Sequence, residues 1–210
     1  HDPLLRTLGV TQIKGDLDRR ADLRRLAGIA HAVIHSAPPD SNEAHDENID
    51  QRTANLIAAL QRGRSRPRCV VYISTSGVYG DRDGARVDET CTLNATSARA
   101  KRRVDAERRL RALGRQTSKD GVNCRVSLLR APGIYAADRL PLDRLRRQVP
   151  LLQAGEDSRT NHIHALDLGR ACLAALHRGR PNRAYNVSDN SFLTMGEWFD
   201  ALADAYSLPR

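Results

Sequence analysis

Short apolar runs alternate along this chain with longer stretches whose apolar residues recur at helical spacing. "RCVVYIS" (68–74) is apolar and rich in β-branched residues without alternation, as expected of a strand buried on both faces. "AHAVIHSAPP" (30–39), "VNCRVSLLRAP" (122–132) and "RAYNVSD" (183–189) read as further strands, and "VTQIKGD" (Val10–Asp16) as a short one ending in Gly-Asp. Between them lie amphipathic stretches. "RRADLRRLAG" ends at Gly28, a C-cap residue type, and "DENIDQRTANLIAALQRG" ends at Gly63. "SARAKRRVDAERRLRALGR", "HALDLGRACLAALHRG" and "TMGEWFDALADAY" follow, the last with Thr194 as its expected N-cap. Strands separated by helices predict an α/β fold, a parallel sheet with helices on both faces.

The strand ends carry the first chemical hint. The predicted strands close in Gly15-Asp16, in Ser36-Ala37-Pro38, in Ser74-Thr75-Ser76-Gly77 and in Arg130-Ala131-Pro132-Gly133. In an open parallel sheet these ends share one edge, where ligands bind. Small side chains let a flat ligand approach the backbone, and hydroxyls supply hydrogen bonds.

Charge narrows the picture. The net charge is +9 over 210 residues. Almost all of the positive charge is arginine, the lysines being Lys14, Lys101 and Lys119, and Asp and Glu interleave with it along the helices. With 4% aromatic content and no basic tail, a nucleic-acid partner is not expected. No apolar run approaches the roughly 20 residues that span a bilayer. The cysteines Cys69, Cys91, Cys124 and Cys172 form no CxxC pair, so neither a metal site nor a disulfide framework is expected, and free thiols suit a reducing cytoplasm.

"GDLDRRADL", "VIHSAPP", "YISTSGVYGD", "VDETCTLNATS", "VSLLRAPGIYA", "NHIHALDLGRA" and "YNVSDNSFLTMGEWFDALAD" occur in an order and spacing that resemble the extended short-chain dehydrogenase/reductases, the NAD-dependent epimerase/dehydratase group. The resemblance implies a Rossmann-type doubly wound sheet, with a partial NAD(P)-binding domain over 1–135 and a mixed, substrate-binding C-terminal part over 136–210. It implies NAD or NADP as cofactor. Asp16 and Leu17 would meet the adenine. Ser36, Ala37 and Pro38 would follow the ribose and phosphates, with Ser74 and Arg103 on the cofactor side. Pro132, Gly133 and Ile134 would border the nicotinamide. Thr75 would hold the substrate oxygen, with Ser76, Arg99 and Asn161 around the substrate. Asp167 matches an acid that positions a loop. A homodimer through helix faces is also implied.

Two departures stand out. The family's Tyr-x-x-x-Lys falls on Arg99 and Arg103, in a branch pattern without the active-site tyrosine. Arginine cannot pass a proton near neutral pH, but it binds anions in a bidentate fashion. A solvated basic helix face is the alternative reading of these two residues. His162 is then the first choice for a proton-handling group, with Tyr79, Tyr135 and His164 behind it. The Gly-rich pyrophosphate turn is also absent, and the pattern is that of a sheet lacking its first β-α-β unit of about 50 residues. Weak NAD(P) binding and marginal stability are expected of the chain alone. The expected activity is that of an oxidoreductase of this group acting on a nucleotide-sugar or similar small carbonyl or alcohol. The alternative is a non-catalytic dinucleotide-binding sensor or scaffold.

Overall fold

A computed structural model describes residues 2–40, 46–63, 65–117, 121, 123–150 and 155–209. The predicted continuous apolar runs form its centre. Strands β1 (Ala32–His35), β2 (Cys69–Thr75), β3 (Arg125–Ala131) and β6 (Arg183–Asn186) make one parallel sheet in the order β1-β2-β3-β6. β2 and β3 lack alternation because both of their faces are covered. Val70, Tyr72, Val126 and Leu128 pack with Ala106, Leu110 and Leu113 of helix α3 (Ala98–Arg115). From the other face, Val71, Leu129 and Ala131 meet Leu168, Cys172 and Ala175 of helix α5 (Ala165–Arg178). Each fully buried aliphatic side chain contributes roughly 1.5–3 kcal/mol, which makes this three-layer packing the main source of stability.

The helices start where the sequence supplies caps. Asp50 accepts from the Thr53 amide ahead of α2 (Gln51–Leu60), and Ser97 accepts from the Ala100 amide ahead of α3. Thr194 and Glu197 form a reciprocal capping box at α6 (Met195–Tyr206). Helix α1 (Pro3–Thr7) is a single short stretch with Asp2 as its cap. A small parallel pair, β4 (Gly133–Tyr135) with β5 (His162–His164), leaves the main sheet and leads to α6. There Phe199, Leu202 and Ala203 enclose Leu145 of helix α4 (Leu142–Arg146) in a separate apolar cluster. α5 and β6 return to the main sheet, so residues 136–210 contribute to both parts.

Two expectations are corrected. Residues 10–16 form no strand: the segment is extended and largely exposed, and no ladder partner for it exists among the described residues. Strand pairing needs a neighbour, and propensity alone does not supply one. The predicted helix over 19–28 is a 3-10 turn at Asp22–Leu26 with only Leu23 buried. Among the described residues β1 is an edge, paired to β2 alone, and Ile34 on it is 42% exposed. Ile34, Ile73, Leu166, Leu168 and Leu173 line an open apolar groove beside that edge. No helix of the described residues is long and apolar enough to cross a membrane.

Candidate functional site

Parallel register brings the carboxyl ends of the strands together. Thr75 pairs directly with Ala131, so Thr75 and Pro132 are neighbours on one edge, and β1 reaches the same side with His35 opposite Tyr72. Ser36 and Pro38 are exposed there, Ala37, Thr75, Ser76 and Pro132 half-buried, and Gly133 and Ile134 exposed. Thr75 Oγ1 accepts from the Gly77 amide at 3.2 Å and starts the 3-10 turn Ser76–Tyr79 that carries the chain off the edge. Helix α2 ties the more distant candidates to this edge. Asn55 Nδ2 donates to the Leu17 carbonyl at 2.9 Å. Arg52 forks onto both carboxylate oxygens of Asp18 at 2.8 Å and donates to the Pro38 carbonyl at 3.2 Å. The Asp16–Leu17 turn is thereby anchored next to Ser36–Pro38.

Two expected site residues prove to be interior. Tyr79 is 2% exposed; its hydroxyl donates to Asn186 Oδ1 at 2.6 Å and accepts from Arg130 Nη1 at 2.9 Å. Ser74 is buried and donates to Glu107 Oε1 at 2.7 Å. Side chains alternate across a strand, so Ser74 shares the face on which Val70 and Tyr72 pack against α3, while Tyr79, in the 3-10 turn after β2, reaches Arg130 of β3 and Asn186 of β6. The centre of their network is the Arg130–Glu107 ion pair at 2.8 Å, its side chains 3% and 2% exposed. Burial opposes the Arg130 charge, but the Glu107 bond and charge outweigh it and raise its pKa. Neither Tyr79 nor Ser74 is a surface for substrate or cofactor.

The helix slots differ from each other. Arg99 is exposed. Arg103, one turn later, is 6% exposed, which removes the solvated-face reading for it. Its Nη1 donates to Tyr72 Oη at 2.9 Å and to the Ile73 carbonyl at 2.6 Å, while its Nε is buried without a partner. Lys101 is drawn away to Glu47. Tyr72 thus places a phenol against the arginine, but it is fully buried, and burial raises its pKa. Beside it lies His35, which sequence reasoning missed. Thr53 Oγ1 donates to Asp50 Oδ2 at 2.8 Å and must therefore accept the 2.9 Å bond from His35, which puts the imidazole proton on Nε2. Burial, and then the Arg103 charge, push the His35 pKa down to about 4. A histidine closing an apolar strand was the signal available for it.

His162 stands directly across the β4–β5 ladder from Gly133. It is 8% exposed, stacked on Trp198 at 4.0 Å between ring centres, with Tyr135 edge-on at 6.2 Å. Thr160 Oγ1 is 3.5 Å from its Nε2, and its Nδ1 is buried without a partner. Burial lowers its pKa, partly offset by Asp189. Among the described residues no hydrogen bond joins His162 to Thr75, and the ring is held by its stack on Trp198. A Cβ on Gly133 would come within 2.8 Å of the His162 ring, which explains the glycine there. His164 caps α5 by accepting from the Leu166 amide at 3.2 Å, and it meets Tyr135 edge-on. Asn161 is exposed, with its carbonyl taking the Gly133 amide at 3.2 Å, and Asp167 pairs with Arg170 at 2.8 Å on the surface. Among the described residues no group of three His, Cys, Asp or Glu side chains could hold a metal ion.

A family model described as the NAD dependent epimerase/dehydratase family matches residues 2–188. The chain belongs to this family. Among solved structures, a functionally unknown conserved protein from Silicibacter pomeroyi DSS is 30% identical, with a TM-score of 0.65 over 88% of this chain and 60% of that one. The DesIV double mutant, a dTDP-glucose 4,6-dehydratase from Streptomyces venezuelae with NAD and DAU bound, is 22% identical, with a TM-score of 0.72 over 93% of this chain and 63% of that one. RMD from Pseudomonas aeruginosa, complexed with NADPH, is 22% identical, with a TM-score of 0.71 over 98% of this chain and 80% of that one. These likenesses establish the Rossmann-like fold of this epimerase/dehydratase family member, which spans about three fifths of the length of the first and second of them. Comparison with the curated proteins gave no match.

Proposed function

We propose that this epimerase/dehydratase family protein binds NAD or NADP along the carboxyl edge of β1, β2 and β3, and acts there on a nucleotide-sugar or similar small carbonyl or alcohol. The observation that carries the reading is the direct pairing of Thr75 with Ala131, which sets a hydroxyl beside the Pro132–Gly133 backbone. The residues present fit a dinucleotide. Ser36, Ala37, Pro38, Pro132 and Gly133 expose backbone behind small side chains, and the Arg103 Nε is a buried donor in need of an acceptor. Solved family-like structures with NAD and with NADPH support the same cofactor class. A bound nicotinamide would supply hydride exchange. Thr75 Oγ1 already accepts from the Gly77 amide, so its own proton is free to be donated to a substrate oxygen. With arginine in both helix slots and the phenols of Tyr72 and Tyr79 committed inside, proton exchange at that oxygen falls to solvent on the exposed Arg99 side.

One observation favours a second reading, a non-catalytic dinucleotide sensor: among the described residues no phenol hydrogen-bonds to Thr75, and Tyr72 and Tyr79 are buried. Saturation-transfer NMR with NADH tests both, because it registers weak binding. Transfer to the nicotinamide protons is expected, and none would sink both readings. Substrate-dependent loss of NADH absorbance with nucleotide-sugars then separates enzyme from sensor.

A further inference from the structure

Arg103 is a buried cation without a counter-ion. Three carboxylates, Asp50, Asp105 and Glu107, are buried with it, and among the described residues none forms an ion pair with it. Glu107 holds Arg130 at 2.8 Å, and Asp105 holds Arg108 at 2.8 Å and Arg109 at 2.6 Å. Asp50 accepts from the Thr53 amide at 3.1 Å and from its hydroxyl at 2.8 Å. Arg102 is spent on the Asp40 and Asp46 carbonyls. Among the described residues the Arg103 guanidinium hydrogen-bonds only to the neutral Tyr72 hydroxyl and Ile73 carbonyl, both through Nη1, and its centre lies 5.4 Å from the middle of the Tyr72 ring. An arginine cannot shed its proton to relieve this, and an uncompensated buried charge costs several kcal/mol. Beside it, His35 is kept neutral by burial and by the Arg103 charge.

We propose that Arg103 is a ligand-binding residue that receives a phosphate oxyanion at the edge between β1 and β2, so that the family's lysine slot selects ligand charge in this chain. The inference rests on the same edge as the function proposed above and deepens it. The oxyanion belongs either to the dinucleotide or to a phosphorylated substrate. Arg103→Lys keeps the charge but loses the planar fork, whereas Arg103→Met keeps the length and loses the charge.

The test titrates inorganic pyrophosphate and NADH into the whole chain and both variants, reading the ring resonances of His35 by NMR alongside thermal midpoints. Pyrophosphate should shift the His35 resonances and raise the midpoint of the wild type. Its affinity should fall roughly 10- to 100-fold in Arg103→Met and less in Arg103→Lys, as for a lost charge-assisted bond. Ligand-free Arg103→Met should melt no lower than the wild type, because it removes a buried charge without a partner. A midpoint that falls in Arg103→Met with pyrophosphate binding unchanged would make Arg103 structural and overturn the proposal, as would an unresponsive wild type. Repeating the titration in saturating NADH assigns the source. A lost pyrophosphate response places the oxyanion on the dinucleotide, and an additive one places it on the substrate; either supports the proposal. Equal NADH affinity in wild type and Arg103→Met, with pyrophosphate silent, sinks this inference and leaves the proposed function standing. Pyrophosphate binding without any NADH binding does the reverse.

Discussion

Replacing Glu107 by alanine removes the only carboxylate bonded to Arg130 among the described residues. The Arg130 side chain is 3% exposed, with Nε and Nη2 on Glu107 at 3.1 and 2.8 Å and Nη1 on Tyr79 Oη. The substitution leaves a guanidinium in the core with one neutral side-chain partner, and strips the Ser74 hydroxyl of its acceptor as well. Breaking a buried pair from one side costs roughly 3–5 kcal/mol. A domain of this size is stable by about 5–15 kcal/mol, so Glu107→Ala should remove a large share of that. At about 2–4 °C per kcal/mol, the thermal midpoint should fall by roughly 6–20 °C. Urea unfolding followed by circular dichroism measures the loss directly. The double change Glu107→Leu with Arg130→Met should cost less than Glu107→Ala alone, because no charge is then left behind. A loss below about 1 kcal/mol for Glu107→Ala, the scale of an exposed pair, would refute the buried-pair reasoning.

Four further outcomes follow from the same structure. His35 is held neutral in the fold, with its pKa lowered from 6.5 to about 4, so its contribution to stability is fully present above pH 6.5 and is lost as pH falls toward 4. His35→Gln should abolish roughly 3 kcal/mol of that acid-dependent loss, seen by comparing urea midpoints of both proteins at the two ends of this range. Tyr79→Phe should lower stability by about 1–3 kcal/mol while leaving NADH binding unchanged, as measured by urea unfolding and saturation transfer; weakened binding would return Tyr79 to the site. Thr75→Val should cost about 1 kcal/mol through the lost Gly77 cap and abolish any substrate turnover, with Thr75→Ser restoring both. Arg99→Tyr combined with Arg103→Lys should create or raise NADH-dependent reduction, read as loss of NADH absorbance, if the rest of the edge is assembled.

The layers of the fold were legible because they rest on local signals. The apolar run at 69–73 is what a strand covered on both faces requires, and Thr194 with Glu197 is a capping box in plain sequence. Residues 10–16 read as a short strand, but pairing is a property of two segments and no partner for them exists among the described residues. β4 and β5 are three residues each, too short for any periodic signal. The rim of Thr75, Pro132 and Gly133 could be read from strand ends alone. The charges of α3 could not: a helix so rich in arginine reads as solvated, yet Arg102, Arg103, Asp105 and Glu107 all point inward. Arg130 directly after Leu128 and Leu129 in a buried strand was the clue, since such a residue demands a buried acid, and Glu107 answers it from the facing helix.

The measurement that tests the central claim most directly is residue-by-residue mapping of NADH binding on the whole chain, by backbone amide shifts in NMR. The account predicts that the amides of Ser36, Ala37, Thr75, Ser76, Gly133 and Ile134 move together and saturably. Shifts confined to the α2–α3 surface or to the N-terminal segment, with those six unmoved, would contradict it.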